Sequence, residues 1–426
     1  MDFNGILRII DKEMVPALGC TDPAGVAYAA AYSKKYGKGK ILSIEAELSA
    51  NVIKNAFAVA IPNTNGRCGI TLALALGATV GKEEKKLEVF SDITEEGIKE
   101  ADRLIASKKV HVSAADNDKK LFIRVSLQTE EAQVEVVIED TYTNVTSLSI
   151  NGKEHLLLLE PLKSNGNEEE LPYYYLSLKS ILDFSVRVPI DKLERIQQAV
   201  DLNMDIAKKG MEGGYGISVG RNIQNAVRRG TMCEDYSTIA MMWTAAATDA
   251  RMAGLSYPVI SNTGSGNQGL ASTIPIIAIA EKREESYEKL IRAVTISSLV
   301  TILIKHKLGV LSAVCGATIA STGVACGLVY LMGGSEKDML TAMKSVVGNV
   351  VGMVCDGAKA GCSMKVATCT QAAVLAALMA IEGFGIQGTD GIVDDSEEKT
   401  IDNLIKLATS GMEKVDQVLL DIILEK

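Results

Sequence analysis

The sequence is poor in aromatic residues, in histidine and in positive charge. Only 4% of the 426 residues are aromatic whereas 47% are hydrophobic, so its cores must be built mainly from Ala, Val, Ile, Leu and Met, which suits close packing of helices. The net charge of −9 leaves no basic surplus to neutralise phosphates, which argues against a nucleic-acid partner. The histidines, His111, His155 and His306, form no closely spaced pair of the kind that is typical of zinc sites.

The first residues lack the basic start and the apolar stretch of a secretory signal, so we expect the protein in the cytoplasm. Eight cysteines are present, and in that compartment they are expected to stay reduced. Reduced thiols in such a chain favour metal binding or catalysis over disulfides. For any single cysteine, simple packing in a core remains the alternative.

One uncharged stretch, Leu308–Gly334, is long enough to cross a bilayer. It is rich in Gly, Ala, Ser, Thr and Cys, and no second span of comparable length stands beside it. We therefore predict a buried central helix or helix pair rather than a membrane span, and we expect no contact with a membrane.

The spacing of apolar residues predicts an α+β protein with a large all-helical C-terminal domain around a buried apolar helix, plus an N-terminal α/β module with an antiparallel sheet. Residues 1–37 are predicted to be N-terminal helices that carry Cys20 and pack on the helical domain. Residues 38–168 are assigned to the α/β module, and residues 169–426 to the helical catalytic domain.

Within the module, segments of near-alternating hydrophobicity indicate strands. They are Lys40–Glu47, Lys86–Phe90, Lys109–Ser113, Leu121–Ser126, Ala132–Ile138 and Thr141–Ile150. A helix is expected at Thr94–Ala106, a hairpin turn at Asn151-Gly152, and a polar linker at 165–170.

Five of the cysteines lie between Lys305 and Thr370, next to glycines that allow backbone to approach a bulky inorganic group closely. Cys315, Cys355 and Cys362 are candidate ligands of one iron–sulfur cluster, which requires soft thiolate ligands. Cys20 precedes a predicted helix, whose dipole would lower the pKa of its thiol. It is therefore a candidate fourth ligand or a catalytic thiol.

A glycine-rich segment, 261–269, contains the pattern G-x-G-x-x-G but is not followed by the parallel strand that a dinucleotide site needs. We instead predict that it captures a small amino acid. The predicted substrate-binding residues of this segment are Ser261, Thr263, Gly264, Ser265, Gly266, Asn267 and Gln268. Two stretches of the N-terminal module are expected to complete the pocket with Asn51, Lys54, Asn55, Asn63 and Thr64.

Three side chains are candidates for proton transfer, and the sequence does not rank them. Lys365 follows Cys362 by three residues and opens an uncharged run, where desolvation would lower its pKa so that it binds a carboxylate or acts as a base. Cys20 and Ser265 are the other two. Lys305 also flanks the cysteine segments, but it is expected to be a surface residue.

Four motifs resemble those of a known family: GCTDP at Gly19–Pro23, SGNQG at Ser265–Gly269, LSAVCG at Leu311–Gly316 and CDGAKAGCSMK at Cys355–Lys365. With them, nearly the whole chain resembles the L-cysteine desulfidase family, a relative of the bacterial iron–sulfur L-serine dehydratases. The resemblance implies a 4Fe-4S enzyme, independent of pyridoxal phosphate, that converts L-cysteine to pyruvate, ammonia and hydrogen sulfide.

By the same resemblance, Cys315, Cys355 and Cys362 are the cluster ligands, and Cys20 is either a ligand or a catalytic group. The family relatives that act on serine differ in cysteine spacing, so Cys369 stays the alternative to Cys362.

Two other functions remain open from the sequence. An L-serine dehydratase would use the same cluster but release water, and a non-enzymatic membrane or cluster-sensing protein would be built on the uncharged Leu308–Gly334 stretch. The expected partner is a small amino-acid substrate, and a homodimer is a possible assembly.

Overall fold

Two hydrophobic cores organise the computed structural model, which describes residues 3–155, 171 and 173–425. The larger core is formed by helices of the C-terminal half together with the first helix, and the smaller core lies against a sheet in the N-terminal part. This arrangement confirms the predicted α+β class. The expected polar linker at 165–170, and with it the boundary after residue 168, lies outside the described residues.

Helices dominate, and they follow the segments in which apolar residues recur at helical spacing. In chain order they are α1 (Phe3–Glu13), α2 (Thr21–Tyr36), α3 (Ala50–Ala56), α4 (Ile70–Thr79), α5 (Glu95–Ala106), α6 (Leu178–Arg187), α7 (Glu194–Met211), α8 (Val219–Arg228), α9 (Tyr236–Met252), α10 (Gly266–Lys282), α11 (Tyr287–Leu308), α12 (Gly316–Leu331), α13 (Glu336–Val350), α14 (Cys362–Ile381), α15 (Glu397–Lys406) and α16 (Val415–Leu424).

The strands form one large sheet and one small one. They are β1 (Pro16–Ala17), β2 (Ile41–Leu48), β3 (Val110–Ala114), β4 (Phe122–Thr129), β5 (Gln133–Glu139), β6 (Val145–Ile150), β7 (Lys153–Glu154) and β8 (Val259–Ile260). β1 pairs with β8, and the other strands form a sheet in the order β3-β2-β4-β5-β6-β7.

The large sheet is antiparallel as predicted, except that β2 and β3 run parallel. The chain between these two strands contains α3, α4 and α5. Because parallel neighbours need a crossover connection, these helices explain the parallel pair. They also cover one face of the sheet with α2, and the apolar side chains of β4 and β5 point into that layer.

Local sequence explains where some elements begin and end. The Thr94 side chain accepts a hydrogen bond from the N–H of Gly97 at 3.2 Å and so caps α5. Between β6 and β7, Asn151 and Gly152 have φ angles of 51° and 75°, as a two-residue hairpin turn requires.

Two predictions for the N-terminal part require correction. The strand expected at Lys86–Phe90 is a 3-10 segment, Glu83–Glu88, followed by a turn, and its apolar spacing reflects Leu87 and Phe90 packing into the core. Residues 1–37 do not pack together on the helical domain: α1 joins the larger core, whereas α2 lies between α4 and the sheet. α2 is rich in alanine, so it can be enclosed on all sides in that layer.

α12 lies in the middle of the larger core, as predicted for the uncharged stretch. It packs against α10, α11, α13 and α14 and is buried over nearly its whole length. Its glycines allow this closeness, since a Cβ at Gly323 would lie 2.3 Å from the carbonyl oxygen of Ser297. The start of α12, where Cys315 lies, is therefore firmly anchored.

Within the part of the chain that the structure describes, α14 is the one helix that is long and apolar enough to cross a membrane, judged by length and composition alone. About half of it, 56%, is buried in the fold. Core helices meet the same criterion, so this is weak evidence for a membrane span.

Candidate active site

The predicted cysteine ligands meet at a cavity of about 110 Å³ where the helical core adjoins α2 and the sheet. Its walls come from the starts of α2 and α10, the end of α9, and the loops that precede α12 and α14. Cys20, Cys315, Cys355 and Cys362 all line it. Segments that are distant in sequence thus supply four thiols to one cavity.

A short antiparallel contact brings Cys315 and Cys355 together. Val314 and Val354 form an isolated β-bridge. The N–H of Cys315 donates to the carbonyl of Met353 at 2.9 Å, and the N–H of Cys355 donates to the carbonyl of Ala313 at 2.7 Å. This pairing holds both cysteines at the same cavity wall.

The other two thiols lie where helices begin. Cys20 immediately precedes α2, and Cys362 is the first residue of α14. Both side chains belong to one apolar cluster with Val59 and Met252. Cys20 and Cys362 therefore lie close to each other in the cavity lining.

Burial controls the protonation of these thiols. It raises the pKa of Cys20 to about 12, and the nearby Asp22 carboxyl acts in the same direction. Burial also raises the pKa of Cys315 and of Cys362. The prediction that the α2 dipole lowers the pKa of the Cys20 thiol is therefore wrong. Desolvation of the buried thiol outweighs the effect of the dipole.

The donor set fits an iron–sulfur cluster better than a single metal ion. No group of three or more His, Cys, Asp or Glu side chains that could hold one metal ion occurs in residues 3–155, 171 and 173–425. A single ion needs ligands that converge on one point, whereas each thiolate of a cluster binds its own iron, so the ligands stand further apart. Four soft thiols line this one cavity, which is the type and number of donors that a cluster uses, and bound cations stabilise thiolates despite burial.

Cys369 lies outside the cavity lining. Its Sγ is 3.4 Å from the Sδ of Met353 and 3.9 Å from the Oγ1 of Thr318, between α12 and α14. It is 1% exposed. This position supports Cys362 over Cys369 as the third candidate cluster ligand, beside Cys315 and Cys355.

A buried carboxyl group, that of Asp22, lies beside Cys20. It accepts hydrogen bonds from the Tyr142 hydroxyl at 2.5 Å and from the Asn55 amide at 3.1 Å, while the Cys20 thiol lies 3.6 Å away. Burial raises the pKa of Asp22, and these three donors oppose that rise. The network fixes the wall that α2 contributes.

Two cationic side chains reach the same cavity. Arg251, on α9, donates to the Asn267 side chain at 2.8 Å and to the carbonyl of Gly19 at 2.6 Å. Lys305, near the end of α11, is 3% exposed and donates to the carbonyl of Val310 at 2.8 Å. Burial lowers the pKa of Lys305 to about 8, so the expectation that it is a surface lysine is wrong.

Some predicted substrate-binding residues do line the cavity. They are Asn55, Gly264, Ser265, Asn267 and Gln268. Ser265 precedes α10 and accepts from the N–H of Gln268 at 3.3 Å. The glycine pattern serves packing here, because a Cβ at Gly269 would lie 2.1 Å from the carbonyl oxygen of Ile260.

Other predicted binding residues lie outside the lining, and their side chains hold nearby protein groups. Those that hydrogen-bond within the N-terminal and glycine-rich loops are Asn63, Thr64, Ser261 and Thr263. Lys54 donates to the carbonyl of Cys355 at 3.1 Å and pairs with Asp416 at 2.6 Å. Asn51 and Gly266 are buried next to the site without lining it.

Lys365 also lies outside the lining. Its ammonium group forms an ion pair with Asp356 and donates to the carbonyl of Val354 at 2.7 Å. Although burial acts to lower the pKa of Lys365, the bond to Asp356 prevails and raises it. This geometry does not support Lys365 as a base.

Sequence reasoning missed part of the lining, namely Thr21, Asp22, Tyr142, Arg251, Lys305 and Ser312. One signal was available for Arg251: Asp249 and Arg251 are the only charged residues of α9. Tyr142 carried no such signal, because only the fold brings the β5–β6 connection to α2.

Comparisons with known proteins identify the family of this chain. A family model described as the serine dehydratase alpha chain matches residues 84–421. A UPF0597 protein of Oleidesulfovibrio alaskensis is 40% identical over 426 residues, which cover 100% of this chain and 99% of the relative. UPF0597 proteins of Parabacteroides distasonis and Clostridium perfringens are 39% and 37% identical, each over 99% of this chain and 98% of the relative. The chain therefore belongs to the serine dehydratase alpha chain family, and this membership implies a lyase-type enzyme.

Proposed function

We propose that this protein catalyses the β-elimination of L-cysteine to pyruvate, ammonia and hydrogen sulfide, with a 4Fe-4S cluster as its cofactor and without pyridoxal phosphate. Family membership supports the lyase class. The observation that carries the finer proposal is the presence of four thiols in the lining of one cavity. Cys315, Cys355 and Cys362 would hold the cluster, and Cys20 would complete its ligation or act on the substrate.

The bound cluster would supply a Lewis-acidic iron that makes the β-substituent a better leaving group. The protein's own side chains would hold the amino acid and remove the proton from its Cα atom. Loss of that proton and of the β-substituent leaves aminoacrylate. This product tautomerises to an imine, which water hydrolyses to pyruvate and ammonia.

Lys305 is the strongest candidate for the base. With a pKa of about 8, part of its population is the neutral amine near neutral pH, and the side chain lines the cavity. Cys20 is a poorer candidate, because burial raises its pKa to about 12 and leaves very little thiolate to accept a proton near neutral pH. The Ser265 hydroxyl already accepts a hydrogen bond from Gln268, which leaves its own proton free to be donated.

Lys365 has a positioning role in this proposal. Its ammonium group bonds the carbonyl of Val354 and the carboxylate of Asp356, which lie on either side of Cys355. Lys365→Met should therefore lower iron content together with activity. Loss of more than about a thousandfold in activity with iron content intact would instead restore Lys365 as the base.

The choice of cysteine over serine rests on the chemistry of the leaving group. A thiol sulfur is a softer ligand than a hydroxyl oxygen and suits iron better. L-Serine dehydration is the second candidate, and the name of the matched family favours it. In either case the partner is a small amino acid, and the reduced thiols that the cluster requires fit a cytoplasmic location.

The test is an anaerobic purification, reconstitution with iron and sulfide, and parallel assays of L-cysteine and L-serine. Equal amounts of sulfide and pyruvate from cysteine, with little pyruvate from serine, support the proposal. Pyruvate from serine alone moves the function to dehydration. Failure of the reconstituted protein to bind iron removes the basis of both candidate functions. When Cys315, Cys355 and Cys362 are each replaced by Ala, Cys369→Ala is the matched control.

A further inference from the structure

Three residues of the cavity carry buried polar atoms that lack a hydrogen-bond partner among the described residues. They are Nε of Arg251, Oδ1 of Asn55 and Oε1 of Gln268. Buried polar atoms are normally paired, and leaving one unpaired is costly. Three such atoms around one cavity indicate a polar ligand that supplies two donors and one acceptor.

The three side chains are nevertheless held in fixed orientations by their other polar atoms. The two remaining nitrogens of the Arg251 guanidinium are both bonded, one to Asn267 and one to the backbone at Gly19. The amide nitrogens of Asn55 and Gln268 donate to Asp22 at 3.1 Å and to the carbonyl of Asn262 at 3.1 Å. In these orientations the three atoms have no hydrogen-bond partner among the described residues.

The charge at Arg251 points to an anion. The side chain is 2% exposed, and the thiols of Cys20 and Cys362 influence its charged form more than the Asp22 carboxyl does. Asp22 itself is bonded to Tyr142 and Asn55. A buried guanidinium without a carboxylate partner is unfavourable, and a carboxylate is the group whose geometry matches it best.

We propose that Arg251 binds the substrate carboxylate, and that Oδ1 of Asn55 and Oε1 of Gln268 accept hydrogen bonds from its α-ammonium group. This assignment rests on the proposed function and deepens it. The cavity then selects α-amino acids in which both groups are free, and it distinguishes them from thiols that carry only one of the two. Arg251 fixes the acid end, and the two amides fix the amine end.

The first test uses the reconstituted full-length protein and two analogues of L-cysteine, each lacking one group. 3-Mercaptopropionate lacks the amine, and cysteamine lacks the carboxylate. Binding of the two analogues is measured anaerobically by calorimetric titration, and L-cysteine, which the enzyme would consume, is compared through its KM and through inhibition by each analogue. L-Cysteine should compete with both, and each analogue should bind more weakly than L-cysteine by at least about tenfold.

Variants should then separate the two ends. Arg251→Gln should weaken binding of 3-mercaptopropionate and raise the KM for cysteine by about a hundredfold, with cysteamine affinity changed less than about threefold. Arg251→Lys should lose less affinity for 3-mercaptopropionate than Arg251→Gln, because Lys keeps the positive charge but lacks the planar guanidinium that can donate two hydrogen bonds to a carboxylate. Gln268→Met should show the reverse pattern, weakening cysteamine while leaving 3-mercaptopropionate nearly unchanged.

Arg292→Gln is the control for removing an arginine from the helical domain, because the partly buried Arg292 bonds Glu288 and the carbonyl of Ser185 and does not line the cavity. Equal loss of both analogues in Arg251→Gln, together with lost iron, would overturn the proposal and make Arg251 a counter-ion of the thiolates. Unchanged binding of 3-mercaptopropionate would overturn it as well. Absence of turnover with normal, Arg251-dependent binding would refute the proposed function alone.

Discussion

The cysteines that line the cavity and those that do not differ in where they lie on their helices. Cys20 and Cys315 immediately precede helices, and Cys362 is the first residue of one. Cys326 and Cys369 are buried within α12 and α14, whereas Cys315 and Cys362 are only partly buried. Because Cys20 is as buried as the two packing cysteines, its place before α2, and not its burial, distinguishes it from them.

The remaining cysteine of the cavity, Cys355, lies in a loop, and the bridge to the Cys315 segment holds it. Cys68 and Cys233 are exposed and far from this arrangement. The thiols that line the cavity lie at the start of a helix or in a loop, where neighbouring helices do not cover the side chain. Mid-helix thiols face adjacent helices instead.

Removing cavity thiols should give the largest effect. Cys315→Ala, Cys355→Ala and Cys362→Ala should each lose the cluster and reduce activity by at least about a thousandfold, because each removes a ligand. Iron content and cluster absorbance measure the first, and sulfide release measures the second. Full iron content in any of these three variants would show that the replaced cysteine is not a cluster ligand, although it lines the cavity.

A backbone change beside Cys355 should come next. Gly357 has a φ angle of 93°, and a Cβ there would lie 2.4 Å from the carbonyl oxygen of Lys54. Gly357→Ala should destabilise the protein by about 3 kcal/mol and lower iron content, because the loop must move. Chemical unfolding checks the first effect. Gly361→Ala is the control, since its Cβ would meet only Lys359 at 3.7 Å, and an equal loss there would contradict the argument.

Lys305 tests what burial does inside the cavity. Its folded pKa of about 8 lies below the unfolded value of about 10.4, so the unfolded chain binds more protons between these pH values. Stability relative to Lys305→Met should therefore rise by up to about 3 kcal/mol as pH increases from about 8 to 10.5, and should be flat below that range. Urea unfolding of the cluster-free protein at several pH values measures the difference. A parallel pH dependence in wild type and variant would contradict the burial argument.

The smallest effect is expected at the packing cysteines. Cys369→Ala should cost about 1 kcal/mol of stability, because it removes one buried sulfur, and should leave iron content unchanged. Thermal unfolding and iron analysis check both. Loss of iron in this variant, with Cys326→Ala unaffected, would move the third ligand from Cys362 to Cys369.

Much of the fold was predictable because its signals are local. The Asn151-Gly152 turn, the helix at Thr94–Ala106 and the uncharged core helix α12 were all assigned from neighbouring residues. The segment at Lys86–Phe90 was not, because alternation of apolar residues fits a 3-10 turn packed on a core as well as it fits a strand.

The candidate site was predictable only in part. Cysteine type and spacing selected all four thiols, and the glycine-rich loop supplied Ser265 and Gln268. Lys365 was favoured over Lys305 because it opens an uncharged run after Cys362. The sequence does not show that Asp356 pairs with Lys365 while Lys305 is buried in the cavity lining. The pKa of Cys20 was misjudged since desolvation depends on every group packed around the thiol.

The sequence by itself determined the secondary structure of most segments, because it follows from residue type and short-range spacing, and it named the candidate thiols by residue type and motif. The tertiary structure decided which polar groups face the cavity. Arg251 bonds the carbonyl of Gly19, which is 232 positions away, and Tyr142 bonds Asp22 across 120 positions. Contacts at such separations arise only when the helical core closes against α2 and the sheet, so no local pattern encodes them.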